Sequence, residues 1–324
     1  MKPTFTIADF AAWAAARPPS PDYFAMYSSL WDAVTTDPAL MHLPIDDHMV
    51  HRGDALFETC KILDGAVYLF PDHLRRLQTG AALLSLPAPS ADRLLDVSRA
   101  VLDASPSRDA LLRIFLSRGP GGHGASPLEC PAPQLYVLAI RRHAPFMKTH
   151  PGGASAALSR IPVKPPPFAA VKSVNYLPNA LMKLEAASLG VDFTVGVAPD
   201  GTLAECPTEN FALVTRDGIL AAPPPGQILE GTTLLRALRL AQDEIDAGGP
   251  LSTLLRGVRR QPLTPDDALS ARELLILGTT SDATACTRFE NRPVGDGLPG
   301  PVQTRLNALL LADQRNPFSL TPLL

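Results

Sequence analysis

Lysine is scarce in this 324-residue chain: six of the 29 basic residues, Lys2, Lys61, Lys148, Lys164, Lys172 and Lys183, and the rest arginine. Any search for a catalytic amine is therefore short. Cysteine is as sparse. Cys60, Cys130, Cys206 and Cys286 lie far apart, with no CxxC or metal-like spacing, and read as reduced thiols of a cytoplasmic protein. Charge of one sign is lacking too. A net charge of −3 offers no basic footprint for nucleic acid or an anionic membrane. No apolar run approaches 18 residues, so no transmembrane helix is expected. Walker, GxGxxG, HExxH and GxSxG patterns are missing, which removes the usual arguments for a nucleotide enzyme, a zinc protease or a serine hydrolase.

Hydrophobic residues make up 46% of the chain, enough for sizeable cores, and the length suits two domains. The segment MKPTFTIADFAAWAAARPPSP has one Lys2 and an Asp9 that interrupts its apolar run. It reads as a short amphipathic helix and a proline linker rather than a signal peptide. Beyond it, 23–34 and 55–70 are strand-like, and Asp64–Gly65 marks a hairpin turn inside the second. Asp72 opens a helix with apolar residues at Leu74, Leu77, Ala81 and Leu84, and a second helix covers 90–104. Strands at 110–117 and 134–141 enclose the Gly-rich loop RGPGGHG. Residues 143–154 lack periodicity and read as a linker. A strand near 155–163 follows, then a helix at 177–189 and strands at 192–198, 202–206 and 210–215. The chain continues with a helix at 231–246, strands near 254–261 and at 273–278, a final strand pair and a helix at 301–314. This order predicts an α+β protein of two domains, 1–145 and 156–324, joined by a linker at 146–155.

Several residues can carry chemistry. Gly231–Thr232–Thr233 opens a helix, and Gly278–Thr279–Thr280 follows the strand ELLILG. Free N–H groups and hydroxyls there can cradle a phosphate, though Gly-Thr is also ordinary helix capping. Lys172 sits in the apolar stretch FAAVKSVNYLPN, where desolvation favours a neutral amine, or it snorkels at a strand edge. Glu205 ends a short strand, where it is either solvated or set against a ring nitrogen. Arg76, on the helix after VYLF, suits a phosphate monoester but has the look of an exposed helix arginine like Arg75. The segment DDHMVHRGD brings His48 and His51 among Asp46, Asp47 and Asp54, a rival zinc or iron reading without a second ligand pair elsewhere. An amine in an apolar setting, a carboxylate, two Gly-Thr cradles and an upstream arginine together match what pyridoxal phosphate requires.

Six segments in order carry a family resemblance: HRGDALFET (51–59), HLRRL (73–77), VKSVNYLPN (171–179), LAECPTENFALV (203–214), LEGTTLLRA (229–237) and LGTTSDAT (277–284). The sequence resembles the class IV aminotransferases, the fold-type IV pyridoxal phosphate enzymes. They include D-amino acid and branched-chain aminotransferases and 4-amino-4-deoxychorismate lyases. PIDDHMVHRG and IPVKPPPFAAVKSVNYLPN resemble the plant-type D-amino acid enzymes most. The resemblance implies two α+β domains with the cofactor between them, usually in a homodimer. It implies Lys172 as the Schiff-base lysine, Arg76 on the phosphate and Glu205 on the pyridine nitrogen. Thr232, Thr233, Gly278, Thr279 and Thr280 would form the phosphate cup. Tyr176 resembles a tyrosine that touches the cofactor's phenolic oxygen, although it stands one residue closer to the lysine here. At the substrate end Phe57 replaces the tyrosine of bacterial D-amino acid enzymes, and no Arg-x-His carboxylate trap is present. Arg52, Arg118 and His123 are the candidate carboxylate binders. The implied activity is amino transfer between an amino acid, D favoured, and a 2-oxo acid. The alternatives are a branched-chain L-amino acid aminotransferase, pyruvate elimination from aminodeoxychorismate, and a non-enzymatic phosphate-ligand binder. Keeping both Lys172 and Glu205 argues against the last.

Overall fold

The computed structural model describes residues 4–18 and 20–324, so the outermost part of the expected N-terminal helix segment and Pro19 of the proline linker lie outside the described residues. Helix α1 (Ile7–Ala15) starts at Thr6, whose hydroxyl and the Asp9 carboxylate form a reciprocal cap. Strand β1 (Tyr23–Ser28) and β2 (Ala33–Thr35) replace the single expected strand at 23–34, because the chain turns through Asp32 in the left-handed region. Helix α2 (His48–Arg52) is short, capped by Asp47 and closed by Gly53 at φ 66°. Strand β3 (Ala55–Leu63) and β4 (Ala66–Tyr68) make the expected hairpin over Asp64–Gly65. Helix α3 (Phe70–Leu83) starts two residues before Asp72, with Pro71 in its first turn, where a missing N–H costs nothing. Helix α4 (Ala91–Asp103) is capped by Ser90. Strands β5 (Ala110–Ser117) and β6 (Gln134–Ile140) follow as expected.

A short helix α5 (Phe146–Thr149) lies inside the expected linker. Strand β7 (Ala154–Leu158) stops well short of 163, ahead of the proline-rich run. Helix α6 (Leu177–Leu189) has the expected bounds, with Pro178 in its first turn and Gly190 ending it at φ 68°. After β8 (Phe193–Val195), residues 202–206 form no strand; Leu203 makes only an isolated bridge to Val197. Then come β9 (Asn210–Val214), β10 (Ile219–Ala222), α7 (Thr232–Asp246), β11 (Gly257–Arg260) and α8 (Pro265–Ser270). Strands β12 (Glu273–Gly278), β13 (Asp282–Phe289) and β14 (Arg292–Pro293) precede α9 (Pro301–Asp313) and β15 (Leu320–Pro322). Among the described residues no helix is long and apolar enough to cross a membrane.

Among the described residues the strands form two sheets. The first has seven strands in the order β15-β4-β3-β5-β6-β1-β2, all antiparallel. The second is mixed, in the order β11-β10-β9-β12-β13-β7-β8, with β14 beside β13. One core lies between the first sheet and helices α3 and α4, around Leu56, Leu94, Leu112 and Val137. Two further cores cover the two faces of the second sheet. The sheets and the helices packed on them agree with the α+β expectation. The division at residue 156 is crossed twice, however. Strand β15 pairs with β4 in the first sheet. Residues 172–174 also join it: the Phe57 amide donates to the Lys172 carbonyl at 3.0 Å, and the Val174 amide to the Ala55 carbonyl at 3.1 Å.

Candidate active site

The segment carrying Lys172 thus lies against β3, and a cavity of about 270 Å³ opens between the two sheets. Strand alternation turns Phe57 and Thr59 of β3 to it. Strand β5 contributes Arg113, α3 contributes Arg76, and α7 brings its first turn. Lys172, Tyr176, Glu205, Thr232, Thr233, Gly278, Thr279 and Thr280 all line this one space, so the structure gathers every residue assigned to the cofactor.

The Lys172 amine makes no hydrogen bond or ion pair among the described residues and lies 4.4 Å from the centre of the Phe57 ring. Burial, then repulsion from the Arg76 guanidinium, pulls its pKa down to about 8. Glu205 is pushed up to about 7 by burial, against the pull of Lys164 and Lys172. Its Oε2 accepts from the Asn210 side chain at 3.0 Å and from the Leu229 amide at 3.2 Å. Tyr176 packs edge-on against Phe57 at 5.1 Å, and burial, then Glu205, raises its phenol.

Arg76 lies on the cavity wall, yet its fork is already held. Its Nε and Nη2 donate to Glu58 at 2.8 and 2.6 Å, leaving Nη1 on the Glu230 carbonyl at 3.1 Å. Glu58 resists its own burial: Arg76 and His73 pull it down to about 2. Three of the five Arg76 N–H bonds are thus used, and one on each terminal nitrogen remains for a ligand.

Helix α7 begins at Thr232 with no side-chain cap, so its first N–H groups and the Thr233 hydroxyl meet the cavity unspent, while the Thr232 hydroxyl lies 3.4 Å from His73 Nε2. Gly231 leaves room there because a Cβ would overlap the Asn210 amide. A Cβ on Gly278 would sit 2.9 Å from the Ser281 hydroxyl and 3.2 Å from Glu209 Cγ. Both cradles depend on glycine. A primary amine, a half-buried carboxylate and an uncapped helix start around one cavity are the donor set that pyridoxal phosphate needs, so the residues fit the group.

The substrate-end candidates separate in this chain, and Phe57 alone of them lines the cavity. Arg118, Arg52 and His123 do not line the cavity. Arg118 is consumed by Asp54, at 2.8 and 3.2 Å, and by the carbonyls of Leu84 and Ser85 at 2.7 and 3.0 Å. Arg52 is exposed and donates to the carbonyls of Gly124 and His123, so the RGPGGHG loop is held through its backbone. His48 is buried and donates to the Gly122 carbonyl at 2.9 Å, while Asp47 accepts from Ser117 and Tyr136. The DDHMVHRGD segment is a structural hub, and among the described residues no group of three or more potential ligands could hold a metal.

Two cations in the cavity were not singled out from the sequence for the site. Arg113 faces Thr59 across β3–β5 and lies over Phe57 and Phe115, at 5.5 and 5.3 Å. Its buried Nε has no partner. The signal was present: one arginine inside the apolar strand ALLRIFLS. Lys164, 5.2 Å from the centre of the Tyr176 ring, lies in the proline run, where no periodicity marks which way a side chain faces.

Residues 55–289 match the family model of amino-transferase class IV. The chain is 37% identical to the chloroplastic D-amino-acid transaminase of Arabidopsis thaliana over 91% of its length and 77% of that protein. It is 31% identical to the bifunctional aminodeoxychorismate lyase / D-amino acid transaminase of Mycobacterium tuberculosis, over 62% of this chain and 73% of that one. A solved branched-chain amino acid aminotransferase with pyridoxamine 5'-phosphate, from T.th., superposes with a TM-score of 0.83 at 25% identity, over 93% of this chain and 99% of that one. The chain belongs to the class IV aminotransferases, a family of pyridoxal phosphate enzymes with the fold-type IV architecture.

Proposed function

We propose that the cavity binds pyridoxal 5'-phosphate on Lys172 and transfers an amino group from a D-amino acid to a 2-oxo acid. The observation that carries the reading is the unpaired Lys172 amine, its pKa lowered to about 8, in one cavity with Glu205 and the uncapped start of α7. When bound, the cofactor supplies an aldehyde for amine exchange and a ring that withdraws electrons. Lys172 Nζ would be the base that moves the proton at the substrate Cα. Glu205 would hold the proton at the ring nitrogen through its carboxylate. Thr232, Thr233, Gly278, Thr279 and Thr280 would hold the phosphate, with the remaining N–H groups of Arg76 beside them. Arg113 holds the substrate carboxylate. A buried donor left without a partner costs about 1–3 kcal/mol, so an arginine kept in that state suits an anion that arrives with the substrate.

The likeness to the plant D-amino-acid transaminase supports D over L. The bifunctional relative supports a second reading, elimination of pyruvate from aminodeoxychorismate by the same lysine. Four unpaired cysteines support a cytoplasmic location. The exposed row Leu177, Leu181 and Leu184 on α6 is compatible with a homodimer. The test is to mix loaded enzyme with single amino acids of each hand and follow the loss of its yellow absorption. D-amino acids should bleach it at low concentration. Bleaching by branched L-amino acids alone would overturn the donor assignment, and pyruvate release from aminodeoxychorismate without an acceptor would favour the lyase.

A further inference from the structure

We propose that the buried pair Lys61–Asp282 is a positioning device that holds the pocket turn Gly278–Ser281 in the shape that receives a phosphate. The proposal rests on the cofactor reading above.

Strand β3 carries Phe57, Thr59 and Lys61 at alternate positions, hence on one face. The first two line the cavity, and the third crosses to the other sheet. Lys61 Nζ donates to Asp282 Oδ1 at 2.6 Å, and Gln314, just past α9, donates to the same oxygen at 2.7 Å. Lys61 and Asp282 are 2% and 3% exposed. An ion pair this dry gains little net stability over an apolar pair of equal size, so its presence calls for another role.

Its location supplies one. Asp282 stands opposite Gly278 in the β12–β13 register, directly closing the turn whose Gly278, Thr279 and Thr280 line the cavity. The Ser281 amide donates to the Gly278 carbonyl at 3.2 Å. Asp282 itself is left-handed, at φ 53°, a conformation that the backbone holds poorly without side-chain support. The turn is thus fixed within by the Gly278 carbonyl, from β13 by the Thr284 hydroxyl on the Ser281 carbonyl at 3.2 Å, and through Asp282 by Lys61 with Gln314. Because Lys61 belongs to the strand that carries Phe57 and Thr59, the same pair registers the substrate wall against the phosphate end.

The test compares two aldehydes, pyridoxal phosphate and pyridoxal, which differ only in the phosphate. Their dissociation constants are read from the absorption of the lysine adduct in purified wild-type protein, in Lys61→Met, and in the double variant Lys61→Met/Asp282→Asn. The double variant removes both charges and so avoids an unpaired buried carboxylate. In both variants pyridoxal phosphate should bind roughly tenfold more weakly, the scale seen when a supporting group rather than a ligating one is lost. Pyridoxal should bind as it does to wild type, and Lys61→Arg should restore most of the phosphate preference. Equal weakening of both aldehydes would show general loosening and overturn the proposal. So would unchanged phosphate preference in a folded double variant. Wild type that forms an adduct with neither aldehyde would overturn the cofactor reading itself, a result distinct from a loss confined to the variants.

Discussion

Lys172 and Glu205 are two ordinary side chains made unusual by where the backbone puts them. Burial disfavours both charges, and so moves them towards one another on the pH scale, the lysine down to about 8 and the glutamate up to about 7. The lysine sets the first expectation. Below pH 8 the neutral amine should fall nearly tenfold per unit, so ligand-free protein should capture pyridoxal phosphate correspondingly more slowly from pH 8 to 6 and level off above. Stopped-flow absorption would check this, and a flat rate from pH 6 to 9 would contradict it. The glutamate sets the second. Its folded pKa is raised, so its contribution to stability is fully present below pH 4.5 and is lost as pH rises through 7. Ligand-free Glu205→Gln should therefore be the more stable protein at pH 8, by the order of 1–3 kcal/mol, and lose that advantage near pH 4.5. The loaded variant should keep cofactor yet turn over about a hundredfold more slowly or worse, because an amide cannot hold the ring nitrogen protonated. Denaturation midpoints at the two pH values and steady-state kinetics separate these effects.

At the scale of elements, strand β5 and the loop after it divide work that the sequence alone left on the loop. Arg113 sits mid-strand on the cavity side with an unspent nitrogen, whereas Arg118, just past the strand end, is spent on Asp54 and the last turn of α3. Arg113→Ala should lower kcat/KM for the best donor by roughly 10–100-fold, with KM rising, the loss of a charge-assisted contact of about 1.5–3 kcal/mol. Arg118→Ala should leave kcat/KM near that of the parent and instead cost about 1–3 kcal/mol of stability, by freeing Asp54 and two carbonyls. The reverse pattern in the two variants would return the carboxylate trap to the loop. Helix α7 makes a related point. Gly231→Ala places a methyl group on the Asn210 side chain, which also supports Glu205. It should weaken cofactor binding several-fold without unfolding the helix, since Gly231 caps it with an extended backbone, φ −67° and ψ 129°, that alanine also adopts.

Across the whole molecule, what could be read in advance was what chemistry forces on local sequence. Helix α6 and strand β12 were legible to the residue because proline, glycine and an unbroken apolar run mark their ends. The residues that meet at the cavity were legible as a set because the resemblance ordered them along the chain. What escaped was decided by distant packing. The tail strand β15 is only three residues long and exists because β4 offers it an edge. The short strand expected at 202–206 is reduced to a single bridge, Leu203 to Val197, flanked by backbone bonds between Gly196 and both Ala204 and Glu205, before the chain turns along the cavity wall. Arg118 and Arg113 could not be sorted in sequence, since only the third dimension shows which one has partners.

The central claim is that Lys172, and no other amine of this chain, carries the cofactor. The cavity contains a real competitor, since Lys164 lines it too and burial lowers its pKa as well. The decisive measurement is borohydride reduction of the loaded protein followed by peptide mapping with mass spectrometry. The account predicts one phosphopyridoxyl group per chain, on the peptide containing Lys172, and its loss in Lys172→Ala. A label on Lys164 or Lys183, or no covalent label from protein that still turns over, would contradict it.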